Sequence, residues 1–357
     1  MASATERVTP TTLAKKETFT NGYVVDERDR AKVAYNEYSD DIPVISLVGN
    51  REEIMKKVVK ASEEWGIFQV VDHGVDAELV SLMTKLTSQF FSLPDEEKLR
   101  FQMGEGHKGG FLISSHLQDE AVGNWRELVL FFAQPEHSRD YSKWPDKPKE
   151  WRAVTEAYSE QLSRLSYTIF ELLSEGLGLE KDALVKSLGE ITQHLVVNHY
   201  PKCPQPDLAV GLKRHTDPSS LTLLLQGNVG GLQATRDDGN TWVTVRPVQN
   251  AFVINLGDHL YYMSNGRFKS ADHQAVVNKE EDRMTIAVFM NPHQEATVYP
   301  LNLKDGETSQ VMEKPMTYAE MNHRHKTKYL ESVRLKKLAK DENWSQELLD
   351  FKLSQLK

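Results

Sequence analysis

The strongest constraint lies in the second half of the chain. From about residue 191, short runs of β-branched, aliphatic and aromatic residues follow one another closely, with turn residues between them. "QATRDDGNTWVTVRP" reads as a hairpin about Asp238-Gly239. "LYYMSNGRFKSADHQAVV" reads as another about Asn265-Gly266, and "DRMTIAVFMNP" as a further strand. Strands spaced this way predict a sandwich or barrel rather than a helical bundle.

The first half has a different period. "REEIMKKVVKASEEWG" carries Ile54, Val58, Ala61 and Trp65 at helical spacing and ends on Gly66. "DAELVSLMTKLTSQFFSLP" repeats the pattern through Leu79, Met83, Leu86 and Phe90 and stops before Pro94. A long helix is expected from about Lys149 to Gly176. "DIPVISL" and "IFQVVDHG" read as strands. The expected architecture is mainly β with helices: a jelly roll with a helical region on its N-terminal side and a C-terminal helix from about Thr317 to Lys340. It divides into an irregular arm (1–40), a mostly helical region (41–190), the β core (191–300) and a C-terminal helical segment (301–357), all in one unit.

Composition narrows the function. A net charge of −9 argues against a surface built for nucleic acid. The single cysteine, Cys203, excludes an intrachain disulfide framework and fits a reducing compartment. The N-terminus has no apolar signal-like core and no run is long enough to span a bilayer, so a cytoplasmic monomer without membrane insertion is expected.

Against that background, "GLKRHTDPSSLTLLLQ" is unusual, because it sets His215 and Asp217 directly before an apolar run. Ionisable groups are costly to bury unless they are paired or bind something. On a strand they share a face, and His273 in "SADHQAVV" is placed on the return strand of the second expected hairpin. Two histidines and one carboxylate form the facial set of non-haem Fe(II) oxygenases, although zinc uses the same donors. Ten residues on, Arg283 and Thr285 share one face of a strand with Ala287 and Phe289, while Met284, Ile286 and Val288 form an apolar opposite face. The guanidinium needs an anion: either an internal carboxylate or a bound one, gripped with help from the Thr285 hydroxyl. In "HLVVNHYPKCPQPD", Val196, Asn198 and Tyr200 share a face, and the last two offer hydrogen bonds to a small polar ligand.

His215-x-Asp217, His273 and Arg283-x-Thr285 together resemble the plant family of 2-oxoglutarate/Fe(II)-dependent dioxygenases. "WGIFQVVDHG", "NHYPKCPQPDL" and "GGLQATRDDGNTWVTVRPV" extend the likeness over most of the chain. "KGGFLISSHLQDEAV", "WRELV", "GLKRHTDP" and "SNGRFKSADHQAVVN" resemble its flavanone-oxidising branch, the flavanone 3-hydroxylases and type I flavone synthases. The resemblance implies a double-stranded β-helix. It implies Fe(II) on His215, Asp217 and His273, and 2-oxoglutarate on Arg283 and Thr285 with Asn198 and Tyr200 seating it. O2 is the oxidant and ascorbate the reductant. It places Phe289 against a flavanone such as naringenin, with Leu112, Leu130 and Phe131 expected around it.

Four positions depart from the family pattern. Thr285 stands where Ser is usual, His199 where Tyr is usual, and Leu260-Tyr261 where the 3-hydroxylases read Gly-His. Leu260 and Tyr261 are therefore expected to reshape the pocket. They tilt the expectation towards desaturation to a flavone, with 2-hydroxylation alongside. The alternative is 3-hydroxylation to a dihydroflavonol, which "LKRHTDP" favours; a non-flavonoid substrate is more remote.

Overall fold

The computed structural model describes residues 9–104, 109–113, 122–301, 303–304, 306–342 and 344–356. Along the chain come α1 (Pro10–Lys15), β1 (Tyr38–Ser39), β2 (Val44–Ser46), α2 (Arg51–Glu64), β3 (Ile67–Val71), α3 (Ala77–Phe91), α4 (Asp95–Leu99), β4 (Gly110–Ile113), β5 (Glu127–Gln134), α5 (Trp151–Gly176) and α6 (Ala183–Leu188). The second half supplies β6 (Thr192–Tyr200), β7 (Leu212–His215), β8 (Leu221–Leu225), β9 (Leu232–Thr235), β10 (Val243–Val245), β11 (Phe252–Leu256), α7 (Asp258–Met263), β12 (Asp272–Ala275), β13 (Arg283–Asn291), the short pair β14 (Thr297–Val298) and β15 (Met316–Thr317), then α8 (Tyr318–Asp341) and α9 (Gln346–Ser354).

Two sheets face each other. The larger has the order β2-β3-β11-β8-β13-β6-β5-β4, the smaller β1-β10-β9-β12-β7. From β6 onward the chain moves repeatedly between them, which makes the jelly roll. The N-terminal region contributes four strands to the large sheet, so it is part of the sandwich wall and not only a helical cover.

Strand periodicity divides the side chains. On β13, Ile286 and Val288 join Val197, Leu223 and Phe131 in the core beneath α5, with Tyr158, Leu162 and Ile169 opposite them. Each such fully buried side chain contributes about 1.5–3 kcal/mol. The alternate residues face inward between the sheets, where Leu224, Val253 and Ala287 meet Leu232, Ala234 and Val243. The helices that cover the outer face are locally specified. The Asn50 side chain accepts from the Glu53 N–H at the start of α2, and the Asp76 side chain accepts from the Glu78 N–H at the start of α3.

Two expectations change. Asp238 and Gly239, both at positive φ, do turn the β9–β10 hairpin, but Asn265 and Gly266 do not turn a second one. Residues 258–263 are helical, and the Asn265-Gly266 pair ends that helix, with the Gly266 N–H returning to the Tyr261 carbonyl at 2.8 Å. Positive φ serves a helix stop as readily as a tight hairpin, so the dipeptide alone did not distinguish them. The arm expected to be irregular also carries the short helix α1. Thr11 and Leu13 are buried, and the Thr11 N–H donates to the buried Glu127 carboxylate at 3.0 Å, which is paired with buried Lys98 at 3.0 Å. The arm's polar groups are held because they satisfy a charge inside the fold.

Candidate active site

β12 pairs with β7 so that His273 lies directly across from His215. Their rings are 4.2 Å apart. Asp217 is not on the strand, as the sequence suggested, but two residues past its end. There the Asp258 N–H donates to its backbone carbonyl at 2.8 Å. Gly257 permits that contact, since a Cβ there would lie 2.7 Å from the Asp217 carbonyl oxygen. The donor atoms of His215, Asp217 and His273 all lie within 4.8 Å of one another.

The surroundings prepare these atoms for a cation. Nδ1 of His215 donates to the Lys213 carbonyl at 2.8 Å, and Nδ1 of His273 to the Ala271 carbonyl at 2.9 Å. Each ring therefore keeps its Nε2 lone pair free. Burial, and then the adjacent His273, hold the His215 pKa well below the usual histidine value, which keeps the imidazole neutral. Asp217 Oδ2 accepts from Thr222 Oγ1 at 2.7 Å, leaving Oδ1 3.7 Å from His215 Nε2. Two imidazoles with free Nε2 atoms and a buried, braced carboxylate fit Fe(II).

A partly open cavity adjoins this triad. Asn198, Tyr200, Arg283, Thr285 and Phe289 line it together with the three donors. The register explains why. Arg283, Thr285, Ala287 and Phe289 pair with Tyr200, Asn198, Val196 and His194 across β13 and β6, so all face the same side. Arg283 is 2% exposed. Its Nε donates to the Val229 carbonyl at 3.2 Å, its guanidinium lies over the Tyr200 ring, and its Nη2 has no partner. Among the described residues no carboxylate pairs with it. The internal ion pair weighed from sequence is therefore absent there, and a bound carboxylate fits the free edge. Asn198 Nδ2 donates to Thr285 Oγ1 at 3.2 Å, so the Thr285 hydroxyl proton remains free for an anion.

The expected pocket residues separate by strand parity. Leu112, half-buried, pairs with Leu128 and shares the site face; Leu130 pairs with Val196 and shares it too. Phe131 does not. It points to the helical side and packs on Trp144 at 4.7 Å. Leu260 is also outside the cavity lining, because the α7 helical turn carries it into the main apolar core. Tyr261 instead lines a groove of about 700 Å³ that reaches His215 from the far side, with Trp65, Tyr262, His325 and Lys328. α8 walls this groove. His325 Nδ1 is 2.9 Å from Asp258, whose N–H holds the Asp217 carbonyl, so the C-terminal helix is tied to the ligand loop. In "KGGFLISSHLQDEAV", residues 114–121 and Lys108 lie outside the described residues.

Of the cavity-side residues that sequence reasoning did not single out, three bear on the site. Arg126 and Asn255 line the cavity, and His194 stacks on Phe289 with ring centroids 4.7 Å apart. Burial pushes the His194 pKa down to about 4, against the charge of Asp217. Asn255, a polar residue inside the apolar run "FVINL", was the most detectable of the three.

Residues 191–292 match the 2OG-Fe(II) oxygenase superfamily, and residues 42–151 match the family described as non-haem dioxygenase in morphine synthesis N-terminal. The chain is 59% identical to a naringenin,2-oxoglutarate 3-dioxygenase of Matthiola incana, over 94% of this chain and 95% of that protein. The chain belongs to the 2OG-Fe(II) oxygenase superfamily. This oxygenase is a 2-oxoglutarate- and Fe(II)-dependent dioxygenase, an oxidoreductase. It is also 52% identical to a flavone synthase of Petroselinum crispum, over 95% and 94% of the two chains. Its fold is similar to the crystal structure of JOX2 in complex with 2OG, Fe and JA, with a TM-score of 0.77 and 33% identity over 88% of this chain and 91% of that one. Among the oxygenase's described residues, no helix is long and apolar enough to cross a membrane.

Proposed function

We propose that the protein is a flavanone 3-dioxygenase, converting a flavanone such as naringenin to a dihydroflavonol. In this reading His215, Asp217 and His273 hold Fe(II), and Arg283 with Thr285 holds the distal carboxylate of 2-oxoglutarate, seated by Asn198 and Tyr200. The observation that carries it is the one cavity in which a braced His-Asp-His set meets a buried guanidinium with a free edge. When bound, Fe(II) couples O2 and 2-oxoglutarate decarboxylation to oxidation of a substrate C–H bond, with ascorbate as reductant.

The chain's own residues bind and orient. Arg283 supplies a fixed positive charge that orients a dicarboxylate, and the wall of Phe289, Leu130 and Leu112 offers apolar and aromatic area to the flavanone rings. Two observations favour C3 hydroxylation over the desaturation expected from Leu260-Tyr261. Leu260 is in the core, and the identity to the naringenin 3-dioxygenase is 59% against 52% to the flavone synthase. Purified protein incubated with naringenin, Fe(II), 2-oxoglutarate and ascorbate tests the reading by product mass and chromatography. Gain of one oxygen, with the retention of a dihydroflavonol, is expected. Loss of two hydrogens, or a 2-hydroxyflavanone, would sink the C3 assignment.

A further inference from the structure

Arg126 lines the same cavity as the His-Asp-His set and Arg283. It lies just before β5, and the register puts it on the face of Leu128 and Leu130, towards the cavity. Its neighbours fix it. The Trp125 N–H donates to the Val210 carbonyl at 2.8 Å and the Trp125 indole N–H to the Pro201 carbonyl at 2.9 Å, while Asn124 Oδ1 accepts from the Lys213 N–H at 3.0 Å next to β7. Arg126 Nη1 donates to Asn198 Oδ1 at 3.0 Å, and its Nε is buried without a partner. No carboxylate pairs with Arg126 among the described residues. The adjacent Lys98 shows the contrast, since Glu127 and Asp95 each lie 3.0 Å from its ammonium.

Two consequences follow. First, among the described residues the cavity is lined by two guanidiniums with buried, unpartnered N–H groups, and by one carboxylate, which lies beside the histidines. Such a lining favours a dianion over a monoanion. Second, Arg126 holds the Asn198 oxygen, which turns the Asn198 NH2 to Thr285 Oγ1 and leaves the Thr285 proton free for the ligand. We infer that Arg126 is a second anion-binding and positioning residue of the co-substrate pocket, acting with Arg283 on the 2-oxoglutarate dianion. The inference rests on the cavity being the 2-oxoglutarate seat, and is independent of which flavanone is oxidised.

The test is an anaerobic equilibrium titration of the Fe(II)-loaded protein with 2-oxoglutarate, without flavanone, for the parent, Arg126→Gln, Arg126→Lys and Arg283→Gln. Arg126→Gln is expected to weaken 2-oxoglutarate about tenfold or more, as loss of a charge-assisted contact does. Arg126→Lys keeps the charge but not the two separate donors, so it is expected to bind 2-oxoglutarate more weakly than the parent and more tightly than Arg126→Gln, with agreeing thermal midpoints. Arg126→Gln within twofold of the parent overturns the inference. So does a folded Arg126→Lys that binds 2-oxoglutarate no more tightly than Arg126→Gln, and if Arg126→Gln does not fold, Arg126→Met takes its place under the same criterion. A raised flavanone KM with unchanged 2-oxoglutarate affinity overturns it as well, by assigning Arg126 to the flavanone. Unchanged 2-oxoglutarate affinity in Arg283→Gln would instead remove the reading of the cavity itself.

Discussion

Thr222→Val isolates the brace on the metal-binding carboxylate. Thr222 is buried on β8 across the register from Phe289 and donates to Asp217 Oδ2 at 2.7 Å. Valine keeps the branched shape and removes the donor. A hydrogen bond to a charged group contributes about 1.5–3 kcal/mol. At about 1.4 kcal/mol per factor of ten, that corresponds to a roughly 10–100-fold weaker Fe(II) dissociation constant, the range typical of groups that orient metal ligands. Thr222→Ser keeps the hydroxyl, with Ser219 Oγ still 3.2 Å from the native oxygen position, and is expected within about threefold of the parent. Anaerobic equilibrium dialysis against Fe(II) reads the constant directly, and activity at saturating Fe(II) should recover most of the parent rate. A Thr222→Val constant within threefold of the parent would refute the argument. So would a serine variant as weak as the valine.

Three further outcomes are expected. Thr285→Val should raise the apparent KM for 2-oxoglutarate about tenfold while Thr285→Ser leaves it nearly unchanged; equal effects would detach the hydroxyl from the co-substrate. Phe131→Ala should cost about 3–5 kcal/mol in urea unfolding with the flavanone KM unmoved, and Leu130→Ala should raise that KM with a smaller stability loss; the reverse pattern would refute the parity assignment. Burial pushes the His259 pKa down to about 3 from the ordinary 6.5, so the unfolded chain binds a proton there that the folded chain does not. The neutral ring's contribution is complete above about pH 6.5 and is lost as pH falls towards 3, at about 1.4 kcal/mol per pH unit. Urea midpoints from pH 6 to 4 should therefore fall less steeply for His259→Gln than for the parent, and parallel slopes would contradict the assignment.

Much of this arrangement was legible in the residues because it depends on period and type. Strand alternation alone places Arg283, Thr285 and Phe289 on one face, and the turn pairs mark strands around them. What failed was context. Asn265-Gly266 carries the same backbone preference at a helix end as in a hairpin, so α7 was invisible, and with it the burial of Leu260. Phe131 failed on parity, since its neighbours Leu128 and Leu130 set the site face. Arg126 could not be separated from an ordinary surface arginine in "WRELV", because what distinguishes it is that no carboxylate pairs with it among the described residues. The arm read only as irregular because its role is to satisfy Glu127, a partner distant in sequence.

The central claim is that one cavity holds a metal on three residues and a dicarboxylate on a fourth. The most direct measurement is the stoichiometry of bound Fe(II) and bound 2-oxoglutarate in one anaerobic dialysis of the parent, Asp217→Ala and Arg283→Gln. The account predicts one of each per parent chain, iron lost in Asp217→Ala, and iron retained but 2-oxoglutarate greatly weakened in Arg283→Gln. Full iron occupancy in Asp217→Ala, or parent-like 2-oxoglutarate binding in Arg283→Gln, would contradict it.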